Sequence, residues 1–108
     1  MGKVNVYDGN GDIIARVAYN NNLDYWDGSN WTSGSTGRHL GLTKLQDGSY
    51  VLIYGTDWQG ERDHAEIVSA DQALQKILQS GNVELLEEKR FSELKELYQQ
   101  SLIGEVLE

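Results

Sequence analysis

The chain has 108 residues, a length that suits one domain and can bury enough surface for a hydrophobic core without staples. It contains no cysteine, which excludes disulfides, thiolate catalysis and cysteine-ligated zinc, and we expect no cofactor or metal. Nine Lys and Arg against seventeen Asp and Glu give a net charge of −8, so repulsion from phosphate disfavours direct binding to nucleic acid.

The sequence shows no segment with the length and apolarity of a signal peptide or a membrane span. Its longest apolar run is YVLIY at residues 50–54, far below the ~20 residues that cross a bilayer. We therefore expect a cytoplasmic protein that makes no membrane contact, and the lack of cysteine fits that location.

Residues 3–69 carry the pattern of β-strands joined by tight turns. The dipeptide Asp-Gly favours hairpin turns because glycine adopts positive φ at little steric cost, and it occurs at Asp8-Gly9, Asp27-Gly28 and Asp47-Gly48. We predict an α+β fold whose first part is an antiparallel meander of five or six strands, with a partial barrel as an alternative. The strands begin around Val4 and Val6 and then cover residues 13–19, 23–26, 39–45, 50–55 and 65–69.

The second predicted strand, IIARVAY, shows the alternation of a half-buried strand. Ile14, Arg16 and Ala18 lie on one of its faces; the other, apolar face consists of Ile13, Ala15, Val17 and Tyr19.

The turn DGNGD before this strand resembles the start of a calcium-binding loop, in which oxygens at alternate positions meet the ion. The sixth position is Ile13 and the twelfth is Tyr19, where that loop requires Gly and Glu. We therefore interpret the segment as a hairpin turn.

After Ser69 the apolar residues repeat with a helical period of about 3.6. Ser69 and Gln72 have the spacing of a capping box, and Gly81 stands where a helix usually ends. These signals predict a first helix over about 70–80. Its apolar face consists of Ala70, Ala73, Leu74, Ile77 and Leu78.

Residues 83–103 form a second helical region, with a predicted break near Phe91-Ser92. Leu85 and Leu86 are out of phase with the apolar line on which Phe91 lies. The simplest interpretation is a helix packed on the sheet. In a straight helix, however, only one of these two apolar sets could face the sheet, and the other would be left for a partner. The chain is therefore predicted to be a monomer or a weak homodimer through this helix. The domain then spans 1–103, and residues 104–108 form a tail whose Leu107-Glu108 resembles an expression-tag remnant.

Aromatic side chains supply the main candidate binding site. Of ten aromatic residues, nine are Tyr or Trp, and several fall in or beside two predicted loops. Such rings are large contact surfaces with a polar handle and suit protein recognition or the stacking of a sugar, and the simpler alternative is that they cap the core. Arg38, at the end of the polar loop SGSTGR, could meet an anionic group. The candidate binding residues are Tyr25, Trp26, Asp27, Trp31, Arg38 and Trp58.

The eight residues YWDGSNWT, Tyr25 to Thr32, resemble the Tyr-Trp-Asp-Gly-x-x-Trp-Thr signature of a short bacterial domain of unknown function, usually found at the N-terminus of membrane-associated proteins. That family has a Trp-Tyr-Pro-Asp segment just upstream, where this chain has AYNNNL. The resemblance implies a local shape, with Asp27-Gly28 as a turn between the rings of Trp26 and Trp31, and it implies no activity.

The leading functional hypothesis is a non-catalytic, bacterial protein-interaction or regulatory module that uses these aromatic loops. The alternatives are an acidic DNA-mimic or inhibitor protein of a mobile element, motivated by the charge of −8, and a domain that binds a small ligand or glycan. An enzyme would need Asp63, His64 and Glu66 to converge in a pocket, since catalysis requires a histidine held by an orienting partner.

Overall fold

The computed structural model describes residues 2–26, 31–32, 38–56, 60 and 62–103, with the backbone alone for 25–26, 31–32, 38 and 102–103. It is an α+β fold in which strands precede two helices, as predicted. The strands are β1 (Lys3–Tyr7), β2 (Ile13–Ala18), β3 (Tyr25–Trp26), β4 (Trp31–Thr32), β5 (Arg38–Lys44), β6 (Tyr50–Thr56) and β7 (His64–Val68), and the helices are α1 (Ala70–Ser80) and α2 (Ser92–Ile103).

The main sheet is mixed, so the prediction of a purely antiparallel meander was wrong. Its strand order is β2-β1-β7-β6-β5, and all neighbours are antiparallel except β1 and β7, where Val6 lies beside Ala65 in a parallel pair. The cause is the connection after β2, which takes the chain to the opposite edge of the sheet, where β5 lies. Strands β6 and β7 then follow inward from that edge, so β7 ends up next to β1. The described strands form an open sheet with β2 and β5 at its edges, so the barrel alternative was also wrong.

Each face of this sheet carries a cluster of buried side chains, and successive residues of a strand point to opposite faces. On β6, Tyr50 and Leu52 face the helices, while Val51 and Ile53 face the other side. The helix-side cluster also contains the fully buried Leu23, Leu42, Ala73, Ile77, Phe91 and Leu94; the opposite cluster also contains Val4, Val6, Val17 and Ala65.

Strand β2 departs from its predicted alternation at one end. Ala15 and Val17 pack on the second cluster as expected, but Ile13 is 56% exposed. The register changes from Val6 opposite Ala15 to Tyr7 opposite Ile13, so Ile14 is an extra residue. This bulge shifts Ile13 out of phase with the buried face.

The β1-β2 turn is a hairpin turn, as interpreted from the sequence. One oxygen of the Asp8 carboxylate accepts the backbone N–H groups of Asn10 at 2.8 Å and Asp12 at 3.0 Å. The glycine with positive φ is Gly11, at 85°, and not Gly9 of the Asp-Gly pair. The Asp47-Gly48 turn follows the usual rule, since Gly48 has φ of 94°.

Helix α1 begins and ends where its capping signals predict. The Ser69 hydroxyl accepts the N–H of Gln72 at 3.1 Å, and the Gln72 side chain accepts the N–H of Ser69 at 3.0 Å, which completes the capping box. Gly81 ends the helix in the left-handed conformation with φ of 77°.

The region 83–103 is not one straight helix. Two 3₁₀ turns, Val83–Glu87 and Lys89–Phe91, precede α2, so the predicted break near Phe91-Ser92 is confirmed. Because the turns rotate the chain, Leu85 and Phe91 are both buried in the helix-side cluster. The phase conflict that suggested a partner helix is thereby explained within one chain. In the described segments, no helix combines the length and apolarity needed to cross a membrane.

Ionisation of the buried Tyr50 hydroxyl should lower the free energy of unfolding at alkaline pH. It is 3% exposed and donates a hydrogen bond to Glu93 at 2.9 Å; burial, and then the bond to and charge of Glu93, raise the pKa of Tyr50 from 10.0 to about 12. Above pH 10 the unfolded chain loses this proton while the folded chain keeps it, so the contribution to the free energy of unfolding is lost between pH 10 and about 12.

Urea unfolding of Tyr50→Phe over this pH range tests the assignment. The variant should be less stable than the parent by about 1 kcal/mol at neutral pH, because a hydrogen bond is lost. As pH rises from 10 to about 12, the parent should lose on the order of 2 kcal/mol relative to the variant, because phenylalanine does not titrate, so the difference should vanish and then reverse. A difference that stays constant with pH would contradict the assignment.

Candidate functional site

The candidate tryptophans Trp26 and Trp31 lie in a small two-stranded sheet separate from the main one. Strands β3 and β4 are antiparallel, with Tyr25 opposite Thr32 and Trp26 directly opposite Trp31. The sequence predicted a strand at β3 but not at β4. Arg38 begins β5. Two further candidates, Asp27 and Trp58, lie outside the described residues.

The segment before β3 covers the outer edge of β5. The Asn22 side chain accepts the N–H of Leu42 at 2.8 Å and donates to the carbonyl of Leu42 at 3.0 Å. One step along, the N–H of Leu23 donates to the carbonyl of Leu40 at 3.0 Å. An edge strand otherwise presents open hydrogen-bonding groups, so this segment protects β5 while it carries the chain into β3.

Gly41 of β5 permits the close approach of this segment. A side chain at position 41 would collide with the backbone carbonyl of Asn20. Only glycine leaves room there, since backbone atoms cannot move aside like the end of a flexible side chain.

Asp24, immediately before β3, anchors the two-stranded sheet to the main sheet. Its side chain is only 5% exposed. One carboxylate oxygen accepts the N–H of Leu40 at 2.8 Å, and the other lies 2.6 Å from Nδ1 of His39. A buried carboxylate needs such partners, so these contacts fix the position beside β5 from which the chain enters β3.

Asn82 ties the same point to the helical layer. Its Nδ2 donates to the backbone carbonyl of Asp24 at 3.0 Å and to the Ser80 hydroxyl at 3.1 Å. The start of β3 is therefore held by β5 on one side and by the chain just after α1 on the other.

The Asp24–His39 pair has the contact by which a carboxylate orients an imidazole. The His39 side chain is 14% exposed, so both groups are largely removed from solvent. Asp24 was not among the candidate residues predicted from the sequence. The sequence signal that could have indicated Asp24 was its position in LDYW. It is an acidic residue at the start of an apolar strand, next to Leu23, which is fully buried.

In the described part of the chain, the side chains of the alternative cluster, Asp63, His64 and Glu66, have partners outside the cluster. The Asp63 carboxylate accepts the N–H of Thr56 at 3.0 Å. Tyr54 contacts the other two: it donates to Glu66 at 2.7 Å, and its ring stacks on His64 with centroids 4.9 Å apart. Within the described segments, no three His, Asp or Glu side chains are grouped as metal ligands.

Comparisons of the chain with protein-family models, with curated proteins and with solved structures found no match.

Proposed function

We propose that the chain is a non-catalytic protein-binding module of the bacterial cytoplasm whose contact surface is centred on Trp26 and Trp31. The observation that carries the proposal is their position directly opposite each other in the β3-β4 ladder. Directly opposite residues of an antiparallel pair are the nearest cross-strand neighbours, so two indole rings would form one broad contact surface. Tryptophan is enriched among residues that dominate protein interfaces.

The segment that leads into β3, residues 22–24, supports the proposal. Asp24 is bonded to β5 and to Asn82, and Asn22 pairs with Leu42 just before it. A contact surface held in place by buried hydrogen bonds loses less conformational entropy when it binds, so more of the contact energy appears as affinity.

The net charge of −8 favours a partner with a basic surface, because opposite charges speed and orient association. The alternative of a DNA mimic needs rows of unpaired carboxylates at phosphate-like spacing. On the helical side, Glu87 and Glu88 instead pair at 2.8 Å with Lys95 and Arg90. This arrangement supports an ordinary mixed-charge surface there.

Capture from lysate of the source cell tests the proposed function. The immobilised parent chain should retain a saturable partner, identified by quantitative mass spectrometry, and Trp26→Ala/Trp31→Ala should lose it. The matched control is Ile13→Ala/Ile14→Ala, which removes two apolar side chains that are 56% and 49% exposed on β2.

Stability measured in parallel decides the interpretation. We expect the free energy of unfolding of the tryptophan variant to stay within about 1 kcal/mol of the parent, as is typical of changes at exposed sites. Retention of the same partner by that variant, or a large loss of stability showing that the rings belong to the core, would refute the proposal.

A further inference from the structure

A groove lies between α1 and the helix-facing side of β6 and β7. Its volume is about 300 Å³, at the lower end of the range for small-molecule sites. The sheet contributes Leu52, Tyr54, Glu66 and Val68, and α1 contributes Gln72, Gln75, Lys76 and Gln79.

Several polar groups of this groove have capacity left for a ligand. Lys76 is half-buried, yet across the described part of the chain its ammonium makes no hydrogen bond or ion pair, and neither do the side-chain amides of Gln75 and Gln79. Glu66 uses one carboxylate oxygen to accept the hydrogen bond from Tyr54 at 2.7 Å. That bond orients the carboxylate and leaves its second oxygen available.

We propose that this groove binds an α-amino acid as its zwitterion, a function that goes beyond the protein-binding module and does not depend on it. The ligand ammonium would pair with Glu66 on the sheet wall and the ligand carboxylate with Lys76 on the helix wall. Charge-assisted hydrogen bonds of this kind are the stronger ones in proteins. The side-chain amides of Gln75 and Gln79 can donate to or accept from either end of the ligand.

Two further observations favour this ligand class. The chain carries a net charge of −8, which repels anions, whereas a zwitterion has no net charge to repel. Leu52, Val68 and Tyr54 are among the residues that line the groove. An apolar ligand side chain would find hydrophobic contact there.

Titration of the ¹⁵N-labelled full chain with L-leucine, followed by NMR, tests the site. We expect saturable shifts at millimolar ligand that are confined to the amides around Glu66 and Val68 and along α1. N-acetyl-L-leucine amide has the same side chain without either charge, and it should cause no saturable shift. The absence of saturation with L-leucine, or an equal response to the uncharged compound, would overturn the proposal.

Charge variants locate the two ends of the ligand. Lys76→Met and Glu66→Gln should each weaken binding at least tenfold, with spectra that keep the dispersion of the folded chain. Lys89→Met is the control for Lys76→Met, because it makes the same charge change at an exposed residue of the second 3₁₀ turn. Equal weakening of ligand binding by Lys89→Met would show a general charge effect and would overturn the site. Loss of partner capture by the tryptophan variant bears only on the protein-binding module.

Discussion

Replacing Phe91 with alanine is expected to cost about 3–5 kcal/mol of the free energy of unfolding. Phe91 is the single phenylalanine of the chain and is fully buried between the helical layer and the sheet. Its ring stacks on that of Tyr50, with centroids 6.4 Å apart. Alanine would leave a cavity at the centre of the helix-side cluster, and small domains have only about 5–15 kcal/mol of stability to lose.

Urea denaturation of Phe91→Ala, followed by circular dichroism, measures this loss as a lower midpoint at unchanged slope. Leu78→Ala is the matched control, because Leu78 lies on α1 but is 40% exposed. Its cost should be well under that of Phe91→Ala. Equal costs for the two variants would mean that the helical layer does not pack on the sheet through Phe91.

Replacing Asp24 with alanine is expected to cost about 3 kcal/mol, because the change leaves buried polar groups without their partner. The N–H of Leu40 and the Nδ1 of His39 both bind the Asp24 carboxylate. Hydrogen exchange at the Leu40 amide should accelerate by more than the loss of global unfolding free energy accounts for, since the segment before β3 no longer covers the edge of β5.

Two variants make the Asp24 test specific. Asp24→Asn keeps an oxygen for the N–H of Leu40, so it should cost less than Asp24→Ala. Asp47→Ala removes a comparable bond to a backbone N–H, that of Ser49, from an exposed turn, and it should cost least. If Asp24→Ala were no more harmful than Asp47→Ala, the carboxylate would not be the anchor of β3.

Features set by neighbouring residues could be predicted from the sequence. The capping box of Ser69 and Gln72 and the stop at Gly81 depend on contacts within a few positions. The β5-β6 hairpin around Asp47-Gly48 is of the same kind. Local backbone preferences are strong enough there to be visible without tertiary information.

Features that depend on distant residues were missed. Nothing local in β1 indicates its parallel pairing with β7, because hairpin signals specify which strands are joined and not which hairpins become neighbours. The burial of Asp24 likewise depends on β5 and on Asn82, which is 58 positions away. Alternation alone placed Ile13 in the core, since a bulge inserts a residue without a reliable sequence signal.

The candidate site shows the same division. The stretch around Trp26 and Trp31 was selected from its residue types, and the ladder then shows which residues stand opposite each other. The groove beside α1 was not predicted, because Glu66 and Lys76 are brought together only by the packing of the helix on the sheet.

The central claim is that Trp26 and Trp31 form an exposed contact surface, and acrylamide quenching of tryptophan fluorescence tests it most directly. Trp58→Phe leaves these two as the tryptophans of the chain. We expect native Trp58→Phe to be quenched nearly as strongly as the same variant unfolded in urea. Strong protection in the native state, lost only on unfolding, would contradict the claim and assign both rings to the core.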